Sequence, residues 1–170
     1  IEGSFDDIAI PSQYLGNVDR IDYIIKNLIN LTTKPENTVK LEELADSMYI
    51  SVSTVKNDLK EVKSILKKYN ISVVSKHKQG IAIQASEDDI TSFILDICSK
   101  KDNELNLKDF LSEKVSNNIF NLKNIILNML GREHLVLSDT EFKNLCSIIF
   151  IKLSRSNQDE SEFIQAYIKD

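Results

Sequence analysis

Proline and glycine are scarce in this sequence of 170 residues, which contains two prolines and four glycines. Because both residues punctuate turns, their scarcity predicts a mostly helical chain with few tight turns. The hydrophobic fraction of 42% is ordinary for a globular protein, and the length suits one large or two small domains. We therefore expect a mainly α fold.

Long apolar runs are missing as well. No run approaches the roughly 20 residues needed to span a membrane, and no signal-peptide pattern is present. The two cysteines, Cys98 and Cys146, lie in separate apolar stripes, which favours buried free thiols over a disulfide or a metal pair. We expect a cytoplasmic protein with no membrane partner. Since the first residue is Ile1, we also expect the chain to be a piece of a longer one.

The motifs of common catalytic sites are absent from the sequence. It has no glycine-rich phosphate loop, no CxxC and no HExxH motif. Acidic pairs such as Glu42–Glu43 fall at predicted helix starts, where carboxylates complement the helix dipole. The only histidines are His77 and His134. We therefore predict that the chain is not an enzyme, and we expect neither a cofactor nor a metal site.

Two apolar stripes at helical spacing lie close together between residues 41 and 66. The first consists of Leu41, Leu44, Ala45 and Met48, and the second of Val52, Val55, Leu59, Val62, Ile65 and Leu66. Only Tyr49–Ser51 separates them, and Ser51 is placed to cap the second helix. Two helices joined by so short a turn predict a helix-turn-helix, whose second helix normally enters the major groove of DNA.

Polar side chains should cover the outward face of this second helix. Hydroxyl, amide and ammonium groups can bond base edges or phosphates, and a valine can contact a thymine methyl. An ordinary amphipathic helix with solvated lysines has the same pattern, so the helix alone leaves both interpretations open. We expect Lys56 and Asn57 to contact bases and Lys60 to contact phosphate. The candidate DNA contacts on the helix are Ser51, Val52, Ser53, Thr54, Lys56, Asn57 and Lys60.

A β-hairpin is predicted directly after the second helix. The β-branched residues around Val73 and Ile81 flank the turn Lys76–Gly80, with glycine at its far end. Such a hairpin is the wing of a winged helix, and its tip supplies three more candidate DNA contacts, Lys76, His77 and Lys78. Residues 52–78 carry seven lysines against two acids, a net charge of +5 in a chain whose total is −5. A basic island of this kind is typical of phosphate contact.

The order of helix, spacer and wing resembles the winged helix of bacterial sugar-operon regulators related to the mannitol, lichenan and Mga-type activators. The resemblance covers about residues 18–87, where the first helix falls in Asp19–Leu31 and Thr38–Val39 could add a minimal strand. Where the family often has arginine after the capping serine, this chain has Val52. The matching residues read Leu-Ala-(x)4-Ile-Ser-x-Ser-Thr-Val-(x)2-Asp-Leu-Lys-Glu-Val, then Leu-Lys-Lys-Tyr-Asn, then Val-Ser-Lys-(x)3-Gly-Ile.

Residues after the wing predict a helical bundle. Ser86 is placed to cap one helix. A longer apolar series from Phe110 to Met129 is spaced as in one packed helix, and Gly131 is placed to end it in a left-handed conformation. Ser138–Glu141 has the pattern of a capping box. The helix after it contains Ile148–Ile151, which is apolar nearly all round, so we expect it at the centre of the bundle. A further helix should begin near Phe163.

This second half resembles, less strongly, the phosphotransferase-system regulation domain, an all-helical module of the same activators. The matching residues read Leu-Ser-Asp-(x)2-Phe-(x)2-Leu from Leu137 and Ile-(x)5-Arg from Ile149. The resemblance places the usual regulatory histidine at Ile148, whose side chain cannot accept a phosphoryl group. His134, in the preceding loop, is a weak alternative phosphoacceptor, although an exposed histidine between helices is the simpler interpretation.

The sequence therefore predicts a piece of a transcriptional regulator of a sugar-utilisation operon. We expect a linker or the tail of a preceding domain at 1–16, a winged helix-turn-helix at 17–85, and an incomplete helical regulatory domain at 86–170. The expected partners are double-stranded DNA, a second copy of the chain, and phosphotransferase-system phosphocarrier proteins. Two alternatives stay open: a winged helix used for protein–protein assembly, and an RNA-binding antiterminator that shares the regulation domain.

Overall fold

The computed structural model describes residues 16–99 and 106–156. The chain divides into two compact units between Asp89 and Ile90. Two predictions lie outside the described residues: the linker up to residue 15 and the helix from Phe163. Within the described ranges, none of the helices combines the length and the apolar character that crossing a membrane requires.

The first unit contains three helices and a β-hairpin, as the sequence predicts. The helices are α1 (Asn17–Leu31), α2 (Leu41–Ser47) and α3 (Val52–Lys67), and the strands are β1 (Ser72–Lys76) and β2 (Gly80–Gln84). Each helix buries one apolar stripe, and α3 packs against α1, α2 and β1. The most deeply buried side chains of these helices and of the C-cap of α2 are Ile24, Ile25, Leu28, Ile29, Leu44, Ala45, Met48, Val55, Val62 and Leu66.

The hairpin pairs β1 and β2 antiparallel, with Val74 opposite Ala82. The minimal strand predicted at Thr38–Val39 is present as a single bridge between Val39 and Ile81. In this bridge the Val39 N–H donates to the Ile81 carbonyl at 3.0 Å, and the Ile81 N–H donates to the Val39 carbonyl at 2.8 Å. Gly80 has φ +111°, and a Cβ there would lie 2.2 Å from the Val39 carbonyl oxygen. Glycine is therefore required where the wing approaches this bridge.

The second unit is all-helical. Helix α4 (Glu87–Ser99) begins as predicted at Ser86, whose hydroxyl accepts from the Asp89 N–H at 3.1 Å. A 3-10 turn (Leu107–Phe110) precedes α5 (Glu113–Asn117), α6 (Ile119–Arg132) and α7 (Asp139–Arg155). The predicted capping box starts α7, since the Ser138 N–H donates to Glu141 Oε2 at 2.8 Å. One core cluster of this unit consists of Val115, Leu122, Ile126, Cys146 and Phe150.

Two predictions for this unit are wrong. The apolar series from Phe110 to Met129 is not one helix, because Ser112 caps a new helix and Asn118 separates α5 from α6. Gly131 does not end α6 either. The left-handed residue is His134, with φ +54°, and the Leu135 N–H donates to the Leu130 carbonyl at 2.9 Å, as in a Schellman motif.

Candidate nucleic-acid interface

The turn between α2 and α3 is closed by backbone hydrogen bonds. Tyr49 has φ +51°, its N–H donates to the Asp46 carbonyl at 3.1 Å, and the Ile50 N–H donates to the Ala45 carbonyl at 3.0 Å. This pair of bonds is again a Schellman motif, with Tyr49 in the position that glycine commonly occupies. Ile50 is half-buried and Tyr49 is exposed. The turn therefore fixes where α3 begins relative to α2.

Ser51 caps α3, as predicted. Its hydroxyl oxygen accepts from the Thr54 N–H at 3.1 Å and lies 2.6 Å from the Ser53 hydroxyl and 2.8 Å from that of Thr54. The three hydroxyls thus form one cluster at the amino-terminal end of the helix. Ser51 and Ser53 are exposed, while Thr54 and Val52 are half-buried. Each of the four predicted contacts in this turn is therefore at least partly accessible.

The outward face of α3 carries a stripe of lysines. Lys56 and Asn57 are exposed, and Lys60 Nζ donates to Asn57 Oδ1 at 3.1 Å. Sequence reasoning did not include Lys63 and Lys67 among the candidate contacts. Both are exposed, and they extend the spacing of Lys56 and Lys60 to i, i+4, i+7 and i+11, which is one face of a helix. That spacing was the signal in the sequence that could have identified them.

Asp58 belongs to the opposite face of the helix. It is 6% exposed and accepts from Arg20 of α1, at 2.8 Å from Nε and 3.3 Å from Nη2. The hydrogen bond to Asp58, together with its negative charge, raises the pKa of Arg20 above its ordinary value, against the opposing effect of burial. Asp58 follows Val55 by three residues and precedes Val62 by four, so helical spacing places it on the inward stripe. Its charge is neutralised inside the unit and does not weaken the lysine stripe.

The tip of the wing exposes two of its three predicted contacts. His77 and Lys78 are exposed, and Lys78 has φ +60° within the turn. Lys76 is half-buried, and its Nζ donates to Asn37 Oδ1 at 2.8 Å. Lys76 thus ties the wing to the loop between α1 and α2, a contact that sequence reasoning missed because the two residues are far apart in the chain.

Ile148, at the usual position of the regulatory histidine, and the alternative acceptor His134 have different surroundings. Ile148 is half-buried on α7 and lines a cavity of about 850 Å³ together with Cys98, Lys143 and Asn144. His134 is exposed in the turn after α6 and is not among the residues that line this cavity. In the described ranges, no three metal-ligating side chains lie together as a metal site.

Comparison with known proteins supports a regulator. The chain is 27% identical over 157 residues to a protein of Bacillus subtilis (strain 168) named "Probable licABCH operon regulator". The alignment covers 89% of this chain but only 23% of that protein. No solved structure matches the chain. Residues 22–97 match the family described as the Mga helix-turn-helix domain. The Bacillus subtilis protein is named an operon regulator, and neither match is to an enzyme, as the sequence predicts. The segment 22–97 therefore contains a helix-turn-helix and is similar to the Mga helix-turn-helix domain.

Proposed function

We propose that the first unit binds double-stranded DNA as part of a transcriptional regulator of a sugar-utilisation operon. The observation that carries the proposal is the outward face of α3, where exposed lysines, an asparagine and a hydroxyl cluster lie together in a Mga-type helix-turn-helix. In helix-turn-helix domains the amino-terminal residues of the second helix contact base edges in the major groove. The polar start of α3 therefore provides the reading surface.

The residues divide into base contacts and phosphate contacts. Lys56 and Asn57 are placed to read bases, because ammonium and amide groups bond guanine and adenine edges. Lys60 holds phosphate and keeps Asn57 oriented through their shared hydrogen bond. The turn and the start of α3 contribute Ser51, Val52, Ser53 and Thr54. The wing contributes His77 and Lys78 directly, and Lys76 with the part of its side chain that stays accessible beside Asn37.

Salt dependence of binding tests this proposal. A preferred duplex is first selected from a random-sequence pool, and its affinity is then measured from about 50 to 200 mM salt. Each phosphate contact contributes about 0.9 to the slope of log affinity against log salt. Lys60→Ala and Lys78→Ala should each lower the slope by about that amount, while Asn57→Ala should relax sequence preference and leave the slope unchanged.

A matched control separates contact from net charge. Lys123 and Lys143 are exposed lysines of the second unit, and replacing either by alanine removes one positive charge from the chain. These variants should keep the slope of the unaltered chain. If all four lysine variants change the slope equally, the stripe and the wing are not the interface, and absence of duplex binding at low salt would contradict the proposal as a whole.

We further propose that the second unit belongs to a phosphotransferase-system regulation domain that mediates dimerisation and receives a signal from phosphocarrier proteins. The proposed domain boundaries are those predicted from the sequence, 17–85 and 86–170. The resemblance of the α7 segment to such domains supports this, and Ile148 removes the usual acceptor.

Sedimentation velocity should detect a dimer. After incubation with phosphoenolpyruvate and the general phosphotransferase proteins, any phosphoryl label within residues 106–156 should be on His134. A monomer at every concentration, or label that survives His134→Ala within residues 106–156, would contradict these two points.

A further inference from the structure

Tyr49 is a large aromatic residue that packs into neither helix of the turn. Its side chain is 78% exposed, whereas its neighbours Met48 and Ile50 are buried and half-buried. The two backbone hydrogen bonds that close the turn use the N–H groups of Tyr49 and Ile50, and neither involves the phenol. The fold of the turn therefore gives no role to the aromatic ring or to its hydroxyl.

The backbone at this position disfavours tyrosine. With φ +51°, Tyr49 lies in the left-handed region, where a Cβ is in steric conflict and glycine or asparagine is the usual occupant. A residue held in such a conformation without a packing reason points towards a functional one. Asn70 and His134 also have positive φ at helix ends, but they are the polar types that commonly accept it.

The position of Tyr49 in the chain, close to the start of α3, indicates what that function is. Tyr49 precedes the capping Ser51 by two residues, and two residues of chain span at most about 7 Å. Its side chain therefore begins beside the exposed hydroxyl cluster at the start of α3. Tyrosine hydroxyls are among the groups that donate to DNA phosphates, and such contacts set the orientation of a protein on the duplex without reading sequence.

We propose that Tyr49 is a DNA-contacting residue whose phenol hydroxyl donates to a backbone phosphate next to the site occupied by the start of α3. This inference rests on the proposed DNA-binding function and adds a residue to it. Because the phenol is neutral, the contact displaces no counterion. It contributes affinity that is independent of sequence and leaves the salt slope unchanged.

Two substitutions test the proposal against the duplex used above and against an unselected duplex of the same length. Tyr49→Phe keeps the ring and the backbone and removes only the hydroxyl. It should weaken binding to both duplexes by about tenfold, with the salt slope unchanged. Tyr49→Gly removes the whole side chain and relieves the left-handed conformation. It should weaken binding at least as much while the melting temperature stays the same or rises.

Phe120→Ala is the matched control, because Phe120 is a similarly exposed aromatic residue, at 75%, in the second unit. This variant should bind both duplexes as the unaltered chain does. If Tyr49→Phe and Tyr49→Gly also bind with unchanged affinity while the unaltered chain binds DNA, the role of Tyr49 is wrong and the proposed function stands. If the unaltered chain binds neither duplex, the proposed function and this inference both fail.

Discussion

Arg20 on α1 and Asp58 on α3 form an ion pair in which Nε and Oδ2 are 2.8 Å apart. The two side chains are 18% and 7% exposed, so the pair is partly shielded from water. Asn17 extends the contact, since its Oδ1 accepts from Arg20 Nη2 at 3.2 Å and its Nδ2 donates to Glu61 at 3.3 Å. The first turns of α1 therefore hold α3 in the rotation that directs Lys56 and Lys60 outward.

Breaking this pair from one side should destabilise the first unit. Arg20→Met leaves the Asp58 carboxylate buried without its main partner, and we expect a loss on the order of 2 kcal/mol in the free energy of unfolding. Arg20→Met combined with Asp58→Leu should lose less, because no unpaired charge remains. Urea denaturation measures both, and Lys63→Met, an exposed position on α3, is a control that should change stability by less than about 0.5 kcal/mol. Equal losses for the single and the double variant would show that the pair does not matter.

Gly80→Ala should disrupt the base of the wing. The added Cβ would lie 2.2 Å from a backbone oxygen of Val39, and the backbone φ of +111° disfavours any side chain. We expect the free energy of unfolding to fall by about 2–4 kcal/mol and hydrogen exchange to become faster at the amides of Val39 and Ile81. Gly131→Ala is the matched control, for which we expect the opposite change in stability. Gly131 lies inside α6 with open space around it, so alanine there should stabilise by about 0.5–1 kcal/mol.

The capping box of α7 should make a pH-dependent contribution. Hydrogen bonds from the Ser138 backbone N–H and side-chain hydroxyl lower the pKa of Glu141 below its ordinary value of 4.5. A carboxyl whose pKa is lowered by folding stabilises the folded state above the ordinary pKa, and that stabilisation is lost as the pH falls through the lowered value. The difference in melting temperature between the unaltered chain and Glu141→Gln should therefore be present at neutral pH and vanish in acid. A difference that grows in acid would contradict this assignment.

The Cys98 thiol should react slowly with alkylating reagents. Burial, and next the negative charge of Asp109, raise the pKa of Cys98 from 9.0 to about 11. Because the thiolate is the reactive form, alkylation near pH 8 should be about 100-fold slower in the folded chain than in urea. The measurement is made in a Cys146→Ala background, so that one thiol is followed. Equal rates in the folded and unfolded chain would show that the thiol is neither buried nor shifted.

Features that depend on neighbours in sequence were predictable. Apolar spacing identified the helices of the helix-turn-helix. A serine just before an apolar stripe identified the starts of α3, α4 and α7, where Ser51, Ser86 and Ser138 each accept a hydrogen bond from a backbone N–H of the first turn. These signals are local, because a cap and a stripe each involve residues within one or two turns of helix. The exposed character of Lys56, Asn57 and Lys60 follows from the same spacing.

Features that depend on distant residues were not predictable. The partners of Asp58 and Lys76 lie 38 and 39 residues earlier in the chain, and nothing in the local pattern names them. The prediction for the end of α6 was wrong for a different reason. Glycine favours a left-handed helix end but does not require one. Here the helix continues through Gly131 to Arg132, and His134 takes the left-handed conformation. The choice between the two depends on where the chain must turn.

The bridge between Val39 and Ile81 has one more consequence. Since β2 pairs with β1 along its length and meets Val39 on its other side, the edge of the described strands that another chain could extend is that of β1. β1 is five residues long and carries Ser72, Ser75 and Lys76. Short edge strands with polar and lysine side chains resist pairing with a foreign strand. The open edge of β1 is thus a poor template for aggregation.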